Sequence, residues 1–443
     1  MDGSAPELRR KTTRLDIVAK PINRFMHLEA SSGILLLVCT AVALYCANSG
    51  LAQAYEHLWH TPISLGIGSW SFTQSLHFWI NEGLMTVFFF VVGLEIKREV
   101  LFGELNNPKK VALPLLAACG GAIMPAIIYF MIERGTEGAA GWGIPMATDI
   151  AFVVGILSLL GARVPNGLRV FLLTLAIADD LLAIIVIGIF YSSNVSFVAL
   201  GGALLSVGAM LIMNWLGVRR ITAYVPMGGV VWACMLVSGV HPSIAGVLVG
   251  LITPGVAWYS RTTYGTTLNV VHRMFERAQE SGDEQIQHAL VDHMAHVSVE
   301  ASSPLTRIVN QLHPWVSFGI MPVFALANAG VEIHTDTLGN AVTQAVASGL
   351  LLGKPLGIFV ISWLTVRLGL GLLPAGVNWR ILFGGGILAG IGFTMALFVA
   401  MLSFSDFHLL AAAKTGVLVG SALSAILGLS YLFVVLRLPQ TKS

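Results

Sequence analysis

The stretch Leu175-Ala-Ile-Ala-Asp-Asp-Leu-Leu-Ala183 places two adjacent carboxylates, Asp179 and Asp180, inside an apolar run that extends over residues 167–191. A run of this length matches the roughly 20 residues that a helix needs to cross a bilayer. Ionisable groups near the bilayer centre are costly and are kept where they have a partner or a function. The stretch therefore predicts a membrane helix that carries a functional site.

Similar apolar runs recur along almost the whole chain. Apolar residues make up 56% of the 443 positions and charged residues 11%, against about half and about a quarter in soluble domains. This composition predicts an all-α polytopic membrane protein of about twelve transmembrane helices and excludes a soluble protein with one buried core. The predicted spans are residues 31–49, 76–96, 111–132, 142–161, 167–191, 195–216, 221–237, 240–257, 314–332, 341–366, 380–403 and 408–436.

Basic residues alternate between successive connections. The arm formed by residues 1–30 carries six Lys and Arg residues, whereas the connection 49–74 carries none. By the positive-inside rule, both termini are predicted to lie in the cytoplasm and the number of spans to be even. We divide the chain into the basic cytoplasmic arm (residues 1–30), a single transmembrane domain (residues 31–436) and a cytoplasmic tail (residues 437–443).

One long polar segment, at about residues 258–312, interrupts the apolar runs on the predicted cytoplasmic side. It contains four His residues and several charged residues at helical spacing, among them Glu276, Arg277, Glu280 and Glu284. Such spacing is typical of a solvated surface hairpin. A pH-sensing role is the alternative, since histidine titrates near neutrality.

Two spans are irregular. The fourth holds Pro145 and Asp149 in its interior, and the eleventh carries five glycines: Gly384, Gly385, Gly386, Gly390 and Gly392. Such residues interrupt helices in membranes where the backbone is buried or lines a cavity, although the glycines also suit close helix packing. Because the irregular spans are the middle members of spans 3–5 and 10–12, they predict inverted repeats with interrupted helices 4 and 11.

The ionisable residues inside the spans indicate cation exchange. Adjacent aspartates cannot both ionise cheaply in a low dielectric, and a carboxylate that holds either a proton or Na⁺ makes the two ions compete. Lys354, in Leu350-Leu-Leu-Gly-Lys354, is the natural counter-charge for one aspartate and alternatively a proton carrier. Asp149 either compensates the N-termini of broken helices or ligates the cation directly.

Three further residues are weaker candidates for ion access or pH response. Glu82 is read as an interfacial cap, with a transport role as the alternative. Glu95 is either a salt-bridged rim residue or part of a cytoplasmic ion funnel. His241, beside Pro242, is either an interface residue or a pH switch.

Eight motifs are spread over nearly the whole chain: Val92-Gly-Leu-Glu-Ile-Lys-Arg-Glu99, Ile144-Pro-Met-Ala-Thr-Asp-Ile-Ala-Phe152, Ala178-Asp-Asp180, Ser238-Gly-Val-His241, Leu312-His-Pro-Trp315, Phe324-Ala-Leu-Ala-Asn-Ala-Gly330, Gly353-Lys-Pro-Leu-Gly357 and Gly390-Ile-Gly-Phe-Thr394. By these motifs the chain resembles the NhaA family of sodium/proton antiporters. This family is itself an example of inverted-repeat transporters with interrupted helices. Members of the family that are steeply activated by pH carry an acidic-His pair shortly before Leu-His-Pro-Trp, where this chain reads Ile308-Val309-Asn310-Gln311. Glu82 stands where an aspartate is common.

The resemblance implies a site beside two crossed, interrupted helices. Asp180 would be the principal transient Na⁺ ligand, Asp179 would be accessible to Na⁺ and linked to Lys354, and Thr148 and Asp149 would lie at the crossing. The implied activity is electrogenic exchange that extrudes Na⁺, with Li⁺ as an accepted substitute, for a larger number of protons. It implies a multi-pass protein of the bacterial inner membrane, often a homodimer in lipid, that serves pH homeostasis and salt tolerance.

Intramembrane carboxylates would also suit two kinds of protein other than an antiporter. A passive cation channel would conduct without counter-transport, but a deep lysine opposes a cation path electrostatically. An intramembrane aspartyl hydrolase leaves the buried lysine and the broken helices without a role. We therefore expect a transporter rather than an enzyme, with no cofactor and no nucleic-acid partner.

Overall fold

The structure, a computed structural model, describes residues 31–68, 70–103, 108–192, 195–219, 221–257, 261–332 and 335–437. The predicted arm, residues 1–30, lies outside these residues, as does the predicted tail beyond residue 437. The helices are α1 (Ser31–Ala47), α2 (Ala52–His60), α3 (Leu76–Phe102), α4 (Pro108–Ile132), α5 (Ile150–Leu159), α6 (Asn166–Phe190), α7 (Phe197–Trp215), α8 (Ile221–Ser238), α9 (Ser243–Ile252), α10 (Arg261–Glu280), α11 (Glu284–Ala301), α12 (Pro304–Trp315), α13 (Met321–Asn328), α14 (Thr335–Gly339), α15 (Ala341–Arg367), α16 (Trp379–Ala389), α17 (Phe393–Ser403) and α18 (Phe407–Val435).

Two 3₁₀ helices, three π turns and two strands complete the described fold. The 3₁₀ helices are Glu137–Met146 and Gly161–Arg163. One π turn, Val316–Ile320, joins α12 to α13, and the other two, Trp79–Leu84 and Gly349–Gly353, lie within α3 and α15. The strands are β1 (Pro62–Ile67) and β2 (Trp70–Ser75).

Each of the twelve predicted spans coincides with helical structure. Six of them are helices that are long and apolar enough to cross a membrane, and two are pairs of shorter helices joined at a bend. The other four coincide with shorter helices, of which α9 has only ten residues against the 18 predicted for the eighth span. The all-α polytopic architecture is thus confirmed.

The predicted interruptions occur in spans four and eleven. The 3₁₀ helix Glu137–Met146 meets α5 at an angle of 47°, and α16 meets α17 at the same angle. Pro145 is the next-to-last residue before the first break, and Gly390 and Gly392 lie within the second. The broken spans are the middle members of the two predicted repeats.

The connection between α1 and α3 contains structure that was not predicted. After α2, the strands β1 and β2 pair antiparallel, with Pro62 opposite Ser75 and Ile67 opposite Trp70. Gly68, at the tip, has a φ of 63° and so adopts the left-handed conformation that glycine tolerates in hairpin turns. The short alternation of apolar and polar residues in β1 was the available sequence signal.

The long polar segment forms the helical hairpin α10–α11, in agreement with the surface-hairpin interpretation. Most of its side chains are exposed. His272 lies 3.5 Å from Glu276 and His296 lies 3.7 Å from Glu300, both at i,i+4 spacing. These exposed pairs are of the kind that stabilises a solvated helix.

Small residues bring the membrane helices into close contact. A Cβ atom added to Gly246 of α9 would lie 2.2 Å from the carbonyl oxygen of Thr86 in α3. One added to Gly357 of α15 would lie 2.0 Å from the carbonyl oxygen of Gly120 in α4. The backbones can approach this closely only because glycine has no side chain.

Candidate ion-binding site

The two interrupted spans contact each other at their breaks. The backbone N–H of Asp149 donates to the carbonyl of Ile391 at 2.7 Å. The hydroxyl of Thr148 donates to the carbonyl of Ala389, the last residue of α16, at 3.0 Å. Donor groups of the first break are thus paired with carbonyl groups at the second. This pairing satisfies backbone groups that have no partner within a helix and lie away from water.

Asp149 lies between the N-termini of two helices. Its Oδ1 accepts from the backbone N–H of Phe152 at 3.0 Å, in the first turn of α5. Its Oδ2 accepts from the backbone N–H of Thr394 at 3.2 Å and from the Thr394 hydroxyl, in the first turn of α17. Both carboxylate oxygens therefore lie against helix N-termini, where a negative charge compensates the helix dipoles.

Lys354 supplies the opposite charge on the other side of the crossing. Its Nζ donates to the carbonyl of Met146, the last residue of the 3₁₀ helix, and lies 2.5 Å from Oδ2 of Asp179. The lysine side chain is fully buried and Asp179 is 2% exposed. The ammonium group of Lys354 is thus the partner of Oδ2 of Asp179 and of the carbonyl group at the C-terminal end of the 3₁₀ helix.

Asp179 is only partly satisfied. Its Oδ2 also accepts from the hydroxyl of Thr148 at 2.6 Å, whereas its Oδ1 is buried without a hydrogen-bond partner. An unpaired oxygen in such a place is costly and marks a position that another group can occupy.

Asp180 is the unpartnered member of the pair. In the part of the chain that the structure describes, its carboxylate accepts no hydrogen bond and forms no ion pair, although only 2% of the residue is exposed. It lines a cavity of about 530 Å³ together with Thr148 and Asp149. The carboxylate that has no protein partner therefore borders a cavity large enough to hold solvent.

The same cavity extends to Glu95 and His313, whose Oε1 and Nε2 atoms lie 3.9 Å apart. Most of the surface between them and Asp180 is apolar, contributed by residues such as Phe88 and Met321. An acidic residue at the outer end of an apolar passage attracts cations toward the inner carboxylate.

The chain is similar to known sodium/proton antiporters over nearly its whole length. The family described as Na⁺/H⁺ antiporter 1 matches residues 23–432. The chain is 48% identical to Na(+)/H(+) antiporter NhaA 2 of Sorangium cellulosum, covering 95% of this chain and 91% of that protein. It is 47% identical to Na(+)/H(+) antiporter NhaA of Rhodopirellula baltica, covering 96% of each. The chain belongs to the NhaA family of Na⁺/H⁺ antiporters.

A more distant likeness exists to a solved structure, the sodium proton antiporter MjNhaP1 from Methanocaldococcus jannaschii at pH 8. The two are 13% identical, the match covers 96% of this chain and 99% of that one, and the TM-score is 0.46. As a member of the NhaA family, the chain is a multi-pass membrane protein of a family of ion transporters.

The crossing of the two interrupted spans brings together five of the residues predicted from sequence. Thr148, Asp149, Asp179, Asp180 and Lys354 lie at the crossing, joined by contacts between the two breaks, α6 and α15. Glu95 lies away from them, at the other end of the cavity. Its position at the cavity end, 3.9 Å from His313, is compatible with both a salt-bridged rim residue and an ion funnel.

Glu82 and His241 contact each other outside this cavity. Nε2 of His241 lies 3.4 Å from Oε1 of Glu82, and its Nδ1 lies 2.6 Å from the hydroxyl of Ser243. Both the imidazole Nε2 and the Glu82 Oε2 are otherwise buried without hydrogen bonds. Sequence reasoning named both residues but did not predict their contact.

Two residues of the site were missed as functional candidates. Thr394 binds Asp149 and His313 lies at the cavity end with Glu95. Both lie in motifs that carry the NhaA resemblance, Gly390–Thr394 and Leu312–Trp315. Those motifs were the available signal, but the partners are far away in sequence.

Proposed function

We propose that the chain is an electrogenic antiporter that extrudes Na⁺ across the bacterial inner membrane in exchange for a larger number of protons. Na⁺ and protons compete for Asp180 and Asp179, and Li⁺ is accepted in place of Na⁺. The observation that carries the proposal is the unpartnered carboxylate of Asp180 at the cavity wall, beside a second carboxylate held by Lys354.

The cation half of the cycle uses oxygen ligands at the crossing. Na⁺ is a hard cation that binds carboxylate and hydroxyl oxygens, as Ca²⁺ and Mg²⁺ do. Ionised Asp180 is the principal ligand, and the unpaired Oδ1 of Asp179 is the second. The Thr148 hydroxyl donates to Oδ2 of Asp179 at 2.6 Å and to the carbonyl of Ala389 at 3.0 Å. The lone pairs of its oxygen therefore stay available to a cation.

In the proton half of the transport cycle, protons neutralise the same carboxylates. In a low dielectric, adjacent carboxylates cannot both stay ionised once the cation leaves, so protonation accompanies cation release. A second proton is carried either by Asp179 or by Lys354, whose ion pair at 2.5 Å must loosen when Na⁺ engages Asp179. Two protons for each Na⁺ move net charge and make the exchange electrogenic.

The outlying acidic residues serve access and pH response. Glu95 attracts cations at the cytoplasmic end of the cavity, and the His241–Glu82 pair responds to pH at the other end of α3. This assignment follows from the proposed orientation, in which both termini are cytoplasmic and α3 begins at the periplasm.

We further propose that two copies associate in the membrane as a homodimer. The hairpin β1–β2 is a two-stranded sheet, so each strand has an outer edge with backbone groups free to pair. Side chains along β1 are exposed, with Leu65 at 51%. Exposed edges of this kind pair with another strand when one is available.

Exchange by the purified protein in proteoliposomes tests the proposed activity. Added Na⁺ or Li⁺ should drive proton movement in the opposite direction, whereas added K⁺ should not. Because net charge moves, clamping the membrane potential at two values should change the exchange rate. Na⁺ flux down a voltage without any proton movement would show a passive cation channel and would refute the proposal.

A further inference from the structure

A buried carboxylate at the C-terminal end of α4 has no part in the function proposed above. Glu133 directly follows Ile132, the last residue of α4, and is 2% exposed. Three residues further along, Thr136 precedes the 3₁₀ helix of the fourth span, which begins at Glu137. In the proposed orientation this end of α4 is periplasmic. Glu133 does not line the cavity at Asp180.

The carboxylate of Glu133 lacks partners for its charge. Its Oε2 accepts a hydrogen bond from the hydroxyl of Thr136, whereas its Oε1 is buried without a hydrogen-bond partner. Among the described residues Glu133 forms no ion pair, and the neighbouring Arg134 forms none with it. A buried charge without a partner is costly. The carboxylate therefore binds either a proton or a cation.

The groups next to the carboxylate present oxygen atoms. The hydroxyl oxygen of Thr136 lies 3.0 Å from the main-chain carbonyl oxygen of Glu133. Gly138 lies against the carboxylate, because a Cβ atom added to this glycine would be 2.4 Å from Oε2. The carbonyl of Gly138 accepts a hydrogen bond from the hydroxyl of Tyr129 at 2.7 Å. Carboxylate, hydroxyl and carbonyl oxygens are the ligands that hard cations prefer.

The charge of this setting suits a monovalent cation. Gly138 lies in the first turn of the 3₁₀ helix, where the helix dipole favours a negative charge. One carboxylate supplies a single negative charge. No group of three or more His, Cys, Asp or Glu side chains among the described residues could hold a metal ion. Thr136 is exposed, so its hydroxyl connects the buried carboxylate with water.

We propose that Glu133 and Thr136 bind a monovalent cation, Na⁺ or Li⁺, at this end of α4, in a site separate from that at Asp180. The ligands are the carboxylate oxygens and the threonine hydroxyl, and water completes the coordination shell. Because Gly138 also packs against Val342 at the start of α15, the bound cation stabilises the contact of α4, the 3₁₀ helix and α15. The inference goes beyond the proposed antiport and does not depend on which residue binds the transported cation.

Thermal unfolding of the full chain in detergent tests this inference apart from transport. The background is Asp180→Asn, which lacks the principal ligand of the proposed transport site. The melting temperature is measured at about pH 8, where carboxylates are ordinarily ionised, in NaCl, in LiCl and in choline chloride of equal ionic strength. Choline is too bulky to bind between the three oxygens. The variants made in this background are Glu133→Gln, Thr136→Val and, as the matched control, Glu137→Gln, which changes an exposed carboxylate of the adjoining turn.

We expect Na⁺ and Li⁺ to raise the melting temperature of the background by about 1–3 °C over choline, and the rise to saturate with cation concentration. The rise should disappear in Glu133→Gln, shrink in Thr136→Val and persist in Glu137→Gln. Thr136→Val decides the matter should Glu133→Gln fail to fold.

Three results would overturn the inference. They are a rise of equal size with and without Glu133, a rise lost equally in Glu137→Gln, and a background that Na⁺ and Li⁺ do not stabilise over choline. The last result would mean that Glu133 carries a proton instead. None of them bears on the proposed antiport, which is measured as exchange with Asp180 intact.

Discussion

Asp180→Asn should abolish Na⁺-driven proton exchange while leaving the folded protein intact. The amide neither carries the negative charge that a cation needs nor takes up a proton, so both halves of the cycle fail. We expect exchange to fall by at least ~100-fold, equivalent to about 2.7 kcal/mol of lost binding. Stability should be nearly unchanged, because Asp180 has no hydrogen-bond or ion-pair partner in the described structure.

The measurement is the exchange rate in proteoliposomes, with the melting temperature in detergent recorded on the same preparation. Asp292→Asn, which changes an exposed carboxylate on α11 in the same way, is the matched control and should exchange at the wild-type rate. Exchange by Asp180→Asn within a few-fold of wild type would remove this residue from the ion site.

Lys354→Met should have the largest effect on stability. The substitution leaves the buried carboxylate of Asp179 and the carbonyl of Met146 without their cationic partner. Breaking a buried ion pair from one side costs about 3–5 kcal/mol, because the remaining charge is uncompensated. We expect a marked fall in melting temperature or in the yield of folded protein, together with a loss of exchange.

The double variant Asp179→Asn/Lys354→Met separates charge from packing. Removing both charges leaves no buried ion unpaired, so most of the lost stability should return while exchange stays absent. A double variant no more stable than Lys354→Met would mean that the packing of the lysine stem, rather than the ion pair, stabilises the crossing. A single variant as stable as wild type would contradict the ion pair itself.

The features predicted well from sequence are those in which a costly residue stands in an apolar run. Asp179, Asp180 and Lys354 could be recognised because no lipid-facing helix tolerates them without a reason. Pro145 and the glycines around Gly390 likewise fixed the positions of both breaks, since proline and glycine weaken helices locally. These signals are contained in single segments and need no knowledge of the tertiary structure.

The features that were missed depend on contacts between distant segments. The capping of α17 by Asp149 joins residues 245 positions apart, and the His77–Asn328 contact joins residues 251 apart. Neither Thr394 nor His77 is unusual within its own segment, so periodicity and composition do not single them out. The β1–β2 hairpin was missed because two six-residue strands give only a weak alternation.

Competition between Na⁺ and protons at the aspartate pair is tested most directly by the apparent Na⁺ affinity as a function of pH. Exchange is measured in proteoliposomes over a range of Na⁺ concentrations at several pH values, with the same pH on both sides. A cation that binds only the deprotonated ligand must lose apparent affinity by about tenfold per pH unit for each proton it displaces. We predict this loss at acidic pH with an unchanged maximal rate, whereas an apparent Na⁺ affinity independent of pH would contradict a shared site.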